Sequence, residues 1–112
     1  MLIKKNESIE HSREGVSANY FQLQNFYSGN TIARAVFTGE HGERKLGDGI
    51  SRAYYIIQGK AKFLLNGQEY FAEEGDLFII EPNSTYNLWP VEKSVDVLLV
   101  SELLDLSGLP KK

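Results

Sequence analysis

The chain has no cysteine among its 112 residues. That excludes disulfides, thiolate metal ligands and a cysteine nucleophile, and it suits a reducing cytoplasm. Histidine is nearly as scarce, with only His11 and His41, so an imidazole-rich metal centre has little to draw on. No basic cluster is present beyond the pairs Lys4-Lys5 and Lys111-Lys112, and the net charge is −3. A nucleic-acid surface needs grouped Lys and Arg, and is not expected. Long apolar runs are also missing. The longest, Leu77 to Ile80 and Val97 to Val100, are far shorter than a bilayer span, and MLIKKNESIE has no apolar stretch of signal-peptide length. The expectation is a cytoplasmic protein with no membrane partner.

The chain does have aromatic and β-branched residues in alternation. Hydrophobic residues make up 42%, charged residues 24%, and there are 6 Phe and 6 Tyr beside the single Trp89. This is the composition of one soluble domain that favours sheet over helix. Residues 1–16 are polar and read as an N-terminal arm. Ala18 to Phe26 alternates as a strand, Ser28-Gly29-Asn30 turns, and Thr31 to Thr38 follows as the second strand. Gly39 to Gly49 (GEHGERKLGDG) is rich in glycine and charge and reads as a mobile surface loop. Ser51 to Gln58 is strongly β-forming, and Gly59 marks a bulge or tight bend. Asn66-Gly67, between KFLL and QEYF, is the signature of a type I′ hairpin. Leu77 to Ile80, Thr85 to Trp89 and Ser94 to Ser101 complete about eight short strands, with no amphipathic helix. A closed antiparallel barrel over residues 17–102, with residues 103–112 as a tail, is the economical arrangement because closure removes exposed edges.

The run AYYIIQGKAKFLLNGQEYFAEEGDLFIIEPNSTY, within Ser51 to Pro90, resembles the cupin superfamily of small jelly-roll barrels. It has the family's order of aromatic-aliphatic strand, glycine, hairpin, Gly-Asp, apolar strand and Pro-centred turn. The resemblance implies an all-β, antiparallel jelly-roll fold. In metal-binding cupins the first motif carries two histidines one residue apart and a glutamate seven residues before the glycine. Counted from Gly59, those positions are Arg52 for the glutamate and Lys45 to Asp48 for the histidine pair. The histidine after the Pro-centred turn is replaced by Tyr86. The resemblance therefore implies the scaffold without its metal or any other cofactor.

Period-two alternation puts Arg52, Tyr54 and Ile56 on one face of their strand, and Ala53, Tyr55 and Ile57 on the other. If Arg52 takes an inward position, then Tyr54, Tyr86 and Leu88 share the interior with it. A guanidinium among phenols suits a carboxylate, a phosphate or a polar planar ligand. The bland alternative is that Arg52 pairs with Asp48 or another carboxylate at the barrel mouth while the tyrosines pack. A remodelled metal site from His41, Asp48 and Tyr86 is disfavoured by the cation at position 52. Arg34, mid-strand in TIARAVFT, is expected on the surface rather than as a second anion contact.

The candidate ligand-binding residues are thus Arg52, Tyr54, Tyr86, Leu88 and Asp48, and the leading expectation is a metal-free barrel that binds a small polar or anionic molecule. One rival is a metal-independent sugar or sugar-nucleotide isomerase or epimerase using tyrosine acid–base chemistry, which an inward histidine would favour. The other is a structural or interaction module with a filled barrel. Outward Tyr55 and Ile57 call for a homodimer through the β faces. Tyr86→Phe is expected to weaken ligand binding by about 1 kcal/mol and leave stability nearly unchanged, as for one hydrogen bond at a solvated site.

Overall fold

The computed structural model describes residues 1–23 and 29–104. The end of the strand read at Ala18 to Phe26, the Ser28 side of the following turn, and the tail beyond Leu104 lie outside the described residues. Among the described residues eight strands form one antiparallel sheet curled into a jelly-roll barrel: β1 (Ile9–Arg13), β2 (Val16–Leu23), β3 (Asn30–Phe37), β4 (Arg44–Lys45), β5 (Arg52–Leu65), β6 (Gln68–Glu73), β7 (Leu77–Ile80) and β8 (Thr85–Glu102). The strand order is β1-β2-β3-β8-β5-β6, with β4 paired to β8 and β7 paired to β5.

Two long strands, β5 and β8, form the spine. The sequence divides each into two short strands, whereas the chain bends through bulges without breaking. Register shifts fall between Ile56 and Gln58 and between Gly59 and Ala61. They switch the inward face from Arg52, Tyr54 and Ile56 to Ala61 and Phe63, all buried. Gly59 is required there. Its φ is +92°, and a Cβ would sit 2.7 Å from the Ser94 carbonyl oxygen. The Asn66-Gly67 hairpin forms as expected, with φ of 49° and 84° at the two residues and Leu65 opposite Gln68. Asn83 takes the left-handed conformation that its turn demands, φ 65°.

The core is drawn from inward residues of both walls: Val16, Ala18, Ala33, Ala35 and Phe37 from β2 and β3, facing Tyr54, Ile56, Phe63, Leu88, Val95 and Val97 from β5 and β8. Three of the inward residues on the β2–β3 wall are alanines. They leave space inside the barrel that larger side chains would have filled.

Two elements differ from the sequence reading. The polar segment read as an N-terminal arm contains β1, which pairs with β2 from Ile9 opposite Tyr20 to Arg13 opposite Val16. IEHSR carries no apolar alternation because its buried residue is His11. The loop read as mobile is also largely fastened down. β4 pairs with β8 (Arg44 opposite Tyr86), Leu46 is buried, and backbone bonds run from His41 N to Leu88 O and from Leu46 N to Ser84 O, both 2.9 Å.

Candidate functional site

The barrel encloses a cavity of about 150 Å³. One wall is the inward-pleated half of the chain's first three strands: His11 and Arg13 from β1, Tyr20 from β2, and Ala33, Ala35 and Phe37 from β3. The other wall comes from Arg52, Tyr54 and Leu99, with His41 and Arg44 from the fastened loop and Leu104 after β8. Three guanidiniums and two imidazoles thus line one small space, and among the described residues no carboxylate lines it.

Arg52 sits at the centre of the polar network. Its side chain is 5% exposed and forms a two-pronged pair with Glu102, Nε to Oε1 at 3.2 Å and Nη2 to Oε2 at 3.0 Å. Its Nη1 donates to Tyr86 Oη at 2.9 Å, and Tyr86 Oη lies 2.7 Å from Tyr54 Oη. Burial works against the Arg52 charge, but the Glu102 carboxylate and the Tyr86 hydroxyl outweigh it and hold the guanidinium even more firmly protonated than usual. Burial, reinforced by Tyr86, raises the Tyr54 phenol well above its ordinary range, against the pull of Arg52. Tyr54 is therefore a proton donor and not a phenolate at neutral pH. Burial likewise raises Tyr20, opposed by the surrounding arginines.

His41 packs between Phe37 and Tyr86, with ring centroids at 5.8 and 5.3 Å. Its Nδ1 is 2.7 Å from the Gly42 carbonyl oxygen. Burial lowers its pKa to about 4, helped by Arg13, Arg44 and Arg52 and opposed by the Gly42 bond. It is a neutral imidazole at pH 7. Arg13 donates to the His41 carbonyl oxygen and so braces the loop across the mouth.

Of the residues singled out from the sequence, Arg52, Tyr54 and Tyr86 come together as one hydrogen-bonded chain. Tyr54 and Arg52 line the cavity directly, while Tyr86, 1% exposed, lies one layer behind them. Leu88 is inward as expected but belongs to the closed core and not to the cavity lining. Asp48 is a correction: it is exposed and does not line the cavity, because the loop turns outward after the buried Leu46. The carboxylate that meets Arg52 is Glu102, brought over by β8. Arg34 is on the outer surface, its side chain 62% exposed and paired with Asp96. His11, Arg13, Tyr20 and Arg44 were not marked as site residues by the sequence, and His41 entered only in the disfavoured metal site. For Tyr20 the alternation in ANYFQ was available as a signal. For the others nothing local indicated an inward position.

The metal of the cupins that the sequence resembles does not fit these residues. The position of their glutamate is a guanidinium, the position of their last histidine is a phenol, and among the described residues no three His, Asp or Glu side chains converge.

Residues 54–97 match the family described as the AraC-like ligand binding domain. No curated protein sequence matches the chain. Among solved structures, the chain is similar to Pac13, described as a unique nucleoside dehydratase and recorded from Streptomyces: TM-score 0.76, 19% identity, 100% of this chain and 90% of that one. It is similar to a predicted oxalate decarboxylase of Thermotoga maritima at TM-score 0.75 and 20% identity, over 93% of this chain and 100% of that one. The cupin domain of Schizosaccharomyces pombe Cnp3 superposes at TM-score 0.65 and 15% identity, over 76% of this chain, which spans 64% of that chain's length.

Proposed function

Starting from a chain that folds as a cupin, we propose that it binds a small anionic molecule inside the barrel. The observation that carries this reading is the convergence of Arg13, Arg44 and Arg52 on a cavity that no carboxylate lines among the described residues. Glu102 offsets one of these charges, and none of the ion pairs among the described residues involves Arg13 or Arg44. Arg13 and Arg44 are exposed, so they stand where the cavity meets solvent, and two cations there attract an anion and give it planar, two-pronged donors. The match to a family described as ligand-binding agrees with this. A space of about 150 Å³ holds roughly a six-membered ring's worth of atoms, so a larger ligand must protrude through the mouth. Calorimetric titration tests it with inorganic phosphate and pyruvate, and with glycerol as the neutral comparison. Saturable binding of the anions, weakened about tenfold in Arg44→Gln as for one charge-assisted contact, is expected. Anions that bind no better than glycerol overturn the reading.

A second reading is supported by His41. An inward imidazole beside a phenol is the residue that the isomerase reading called for, and burial, which lowers its pKa to about 4, makes it a weak base in that role. The similarity to a nucleoside dehydratase fits an enzyme of this kind. A filled interaction module fits less well, since the barrel keeps a charged cavity.

We further propose a homodimer through the outer face of the β7–β5–β8 sheet. Tyr55 stands between Leu77 and Leu98, and Ala53 between Ile79 and Val100, so these side chains form neighbouring rows on one face. Leu77 and Ile79 are 58% and 56% exposed, and Tyr55 and Val100 are also exposed. A twofold contact buries the same rows from both copies. With no helix among the described residues long and apolar enough to cross a membrane, the cytoplasm remains the proposed location.

A further inference from the structure

The cavity has a charged end and a neutral interior. Across the paired strands, exposed Arg13 stands opposite Val16, and Val16 opposite Phe37. Two residues back along β3 is Ala35, and two further back is Ala33, opposite Leu99; all three are buried. At about 3.3 Å per residue these levels lie about 7 and 13 Å from that of Arg13. Arg13 and Arg44 are the two exposed residues of the lining and mark the solvent end. The third cation, Arg52, is buried and already paired with Glu102. An anionic group is therefore drawn to the solvent end, and the interior receives whatever the anion carries.

The interior is built for a ring rather than for hydroxyls. Its β3 wall is two alanines, Leu99 adds an apolar surface, and Tyr20, Phe37, His41 and Tyr54 supply rings. Among the described residues no buried side-chain nitrogen or oxygen lacks a hydrogen-bond partner. Tyr54 is bonded to Tyr86, Arg52 to Tyr86 and Glu102, and His41 Nδ1 to the Gly42 carbonyl oxygen. A ligand hydroxyl entering there gives up water and meets groups already bonded to one another, which costs affinity. An aromatic ring gives up no hydrogen bond, and its contact with protein rings adds to the gain from burial. A space of about 150 Å³ admits a benzene-sized body.

We propose that the cavity selects a small aromatic acid, with its carboxylate at Arg13 and Arg44 and its ring in the interior beside Ala35. The proposal rests on the anion-binding reading above and names the class of anion. Ala35 determines specificity by the volume it leaves empty, since a larger side chain there takes the place of the ring. A sugar acid of the same ring size is disfavoured by its hydroxyls, and acetate leaves the interior unfilled.

Calorimetric titration of the wild-type protein with benzoate, acetate, glucuronate, cyclohexanecarboxylate and benzyl alcohol is the test. Benzoate is expected to bind about tenfold or more tighter than acetate and glucuronate, from ring burial, and than benzyl alcohol, which lacks the charge. Cyclohexanecarboxylate, as apolar but not aromatic, should bind about threefold or more weaker than benzoate. Ala35→Leu should bring the ratio of benzoate to acetate affinity to within about twofold of one, and Ala35→Val, the smaller change that keeps a folded protein available, should lower it about threefold. Benzoate no tighter than acetate or glucuronate overturns the proposal, as does a ratio that neither variant moves, and both outcomes leave the anion-binding reading standing. Cyclohexanecarboxylate equal to benzoate overturns the aromatic class. Benzyl alcohol as tight as benzoate removes the arginines from recognition and overturns both readings, as does a protein that binds none of benzoate, acetate and phosphate.

Discussion

Removing one oxygen atom tests the buried network. In Tyr86→Phe the ring stays, so neither cavity nor overpacking enters, and only the hydroxyl's two bonds are lost. One is charge-assisted, from Arg52 at 2.9 Å, and the other is to Tyr54 at 2.7 Å. Read from the sequence as a solvated site, this change was expected to leave stability almost untouched. The structure reverses that expectation, because Tyr54 and Tyr86 are each 1% exposed and Arg52 is buried too. The variant leaves a guanidinium N–H and a phenol facing a hydrocarbon edge, although Arg52 keeps both prongs on Glu102. A lost charged bond and a lost neutral bond together amount to about 2–3 kcal/mol. At roughly 4 °C per kcal/mol for a domain of this size, the melting temperature should fall by about 8–12 °C. Urea unfolding of both proteins, with unchanged m-values, gives the difference directly. A loss below about 0.5 kcal/mol, the scatter of ordinary surface changes, would mean that the hydroxyl is not bonded as described.

Three further outcomes are expected. Gly59→Ala should cost on the order of 3 kcal/mol or fail to fold, because φ is +92° and the new Cβ would meet the Ser94 carbonyl oxygen at 2.7 Å; Gly42→Ala, with φ +100° but open space, should cost only about 1 kcal/mol in denaturant titrations. His41 has a folded pKa of about 4, below its unfolded value of 6.5, so the unfolded chain takes up the proton first as pH falls. Its contribution to stability is full above about pH 6.5 and is lost toward pH 4, on the order of 2–3 kcal/mol at most. Comparing wild type with His41→Gln in unfolding experiments across that range isolates it, and equal slopes would refute the burial argument. Light scattering of the wild type at micromolar concentration should give twice the chain mass, and Tyr55→Lys with Leu77→Lys should give the single-chain mass, since two charges then oppose their symmetry mates.

Local patterns carried much of the fold. Alternation in TIARAVF and RAYYII, the Asn66-Gly67 hairpin and the Asn83 turn each encode a backbone conformation in adjacent residues, and so could be read without knowing what packs against them. The inward faces of Arg52, Tyr54, Tyr86 and Leu88 followed from the same period of two. Strand lengths were less legible. A bulge keeps hydrogen bonding while it breaks the alternation, so β5 and β8 each look like two strands. β1 was hidden because its single buried residue is a histidine. The electropositive cavity was the least visible feature. Arg13, His41, Arg44 and Glu102, which surround Arg52, are far apart in the chain, and none has a local signature. What the sequence alone determined is the jelly-roll barrel with an arginine and two tyrosines inside it, because pleat and turn chemistry are local. What only the tertiary structure decided is which charges share that interior and that Glu102, not Asp48, holds Arg52, because such pairings depend on strand order and register between segments far apart in the chain.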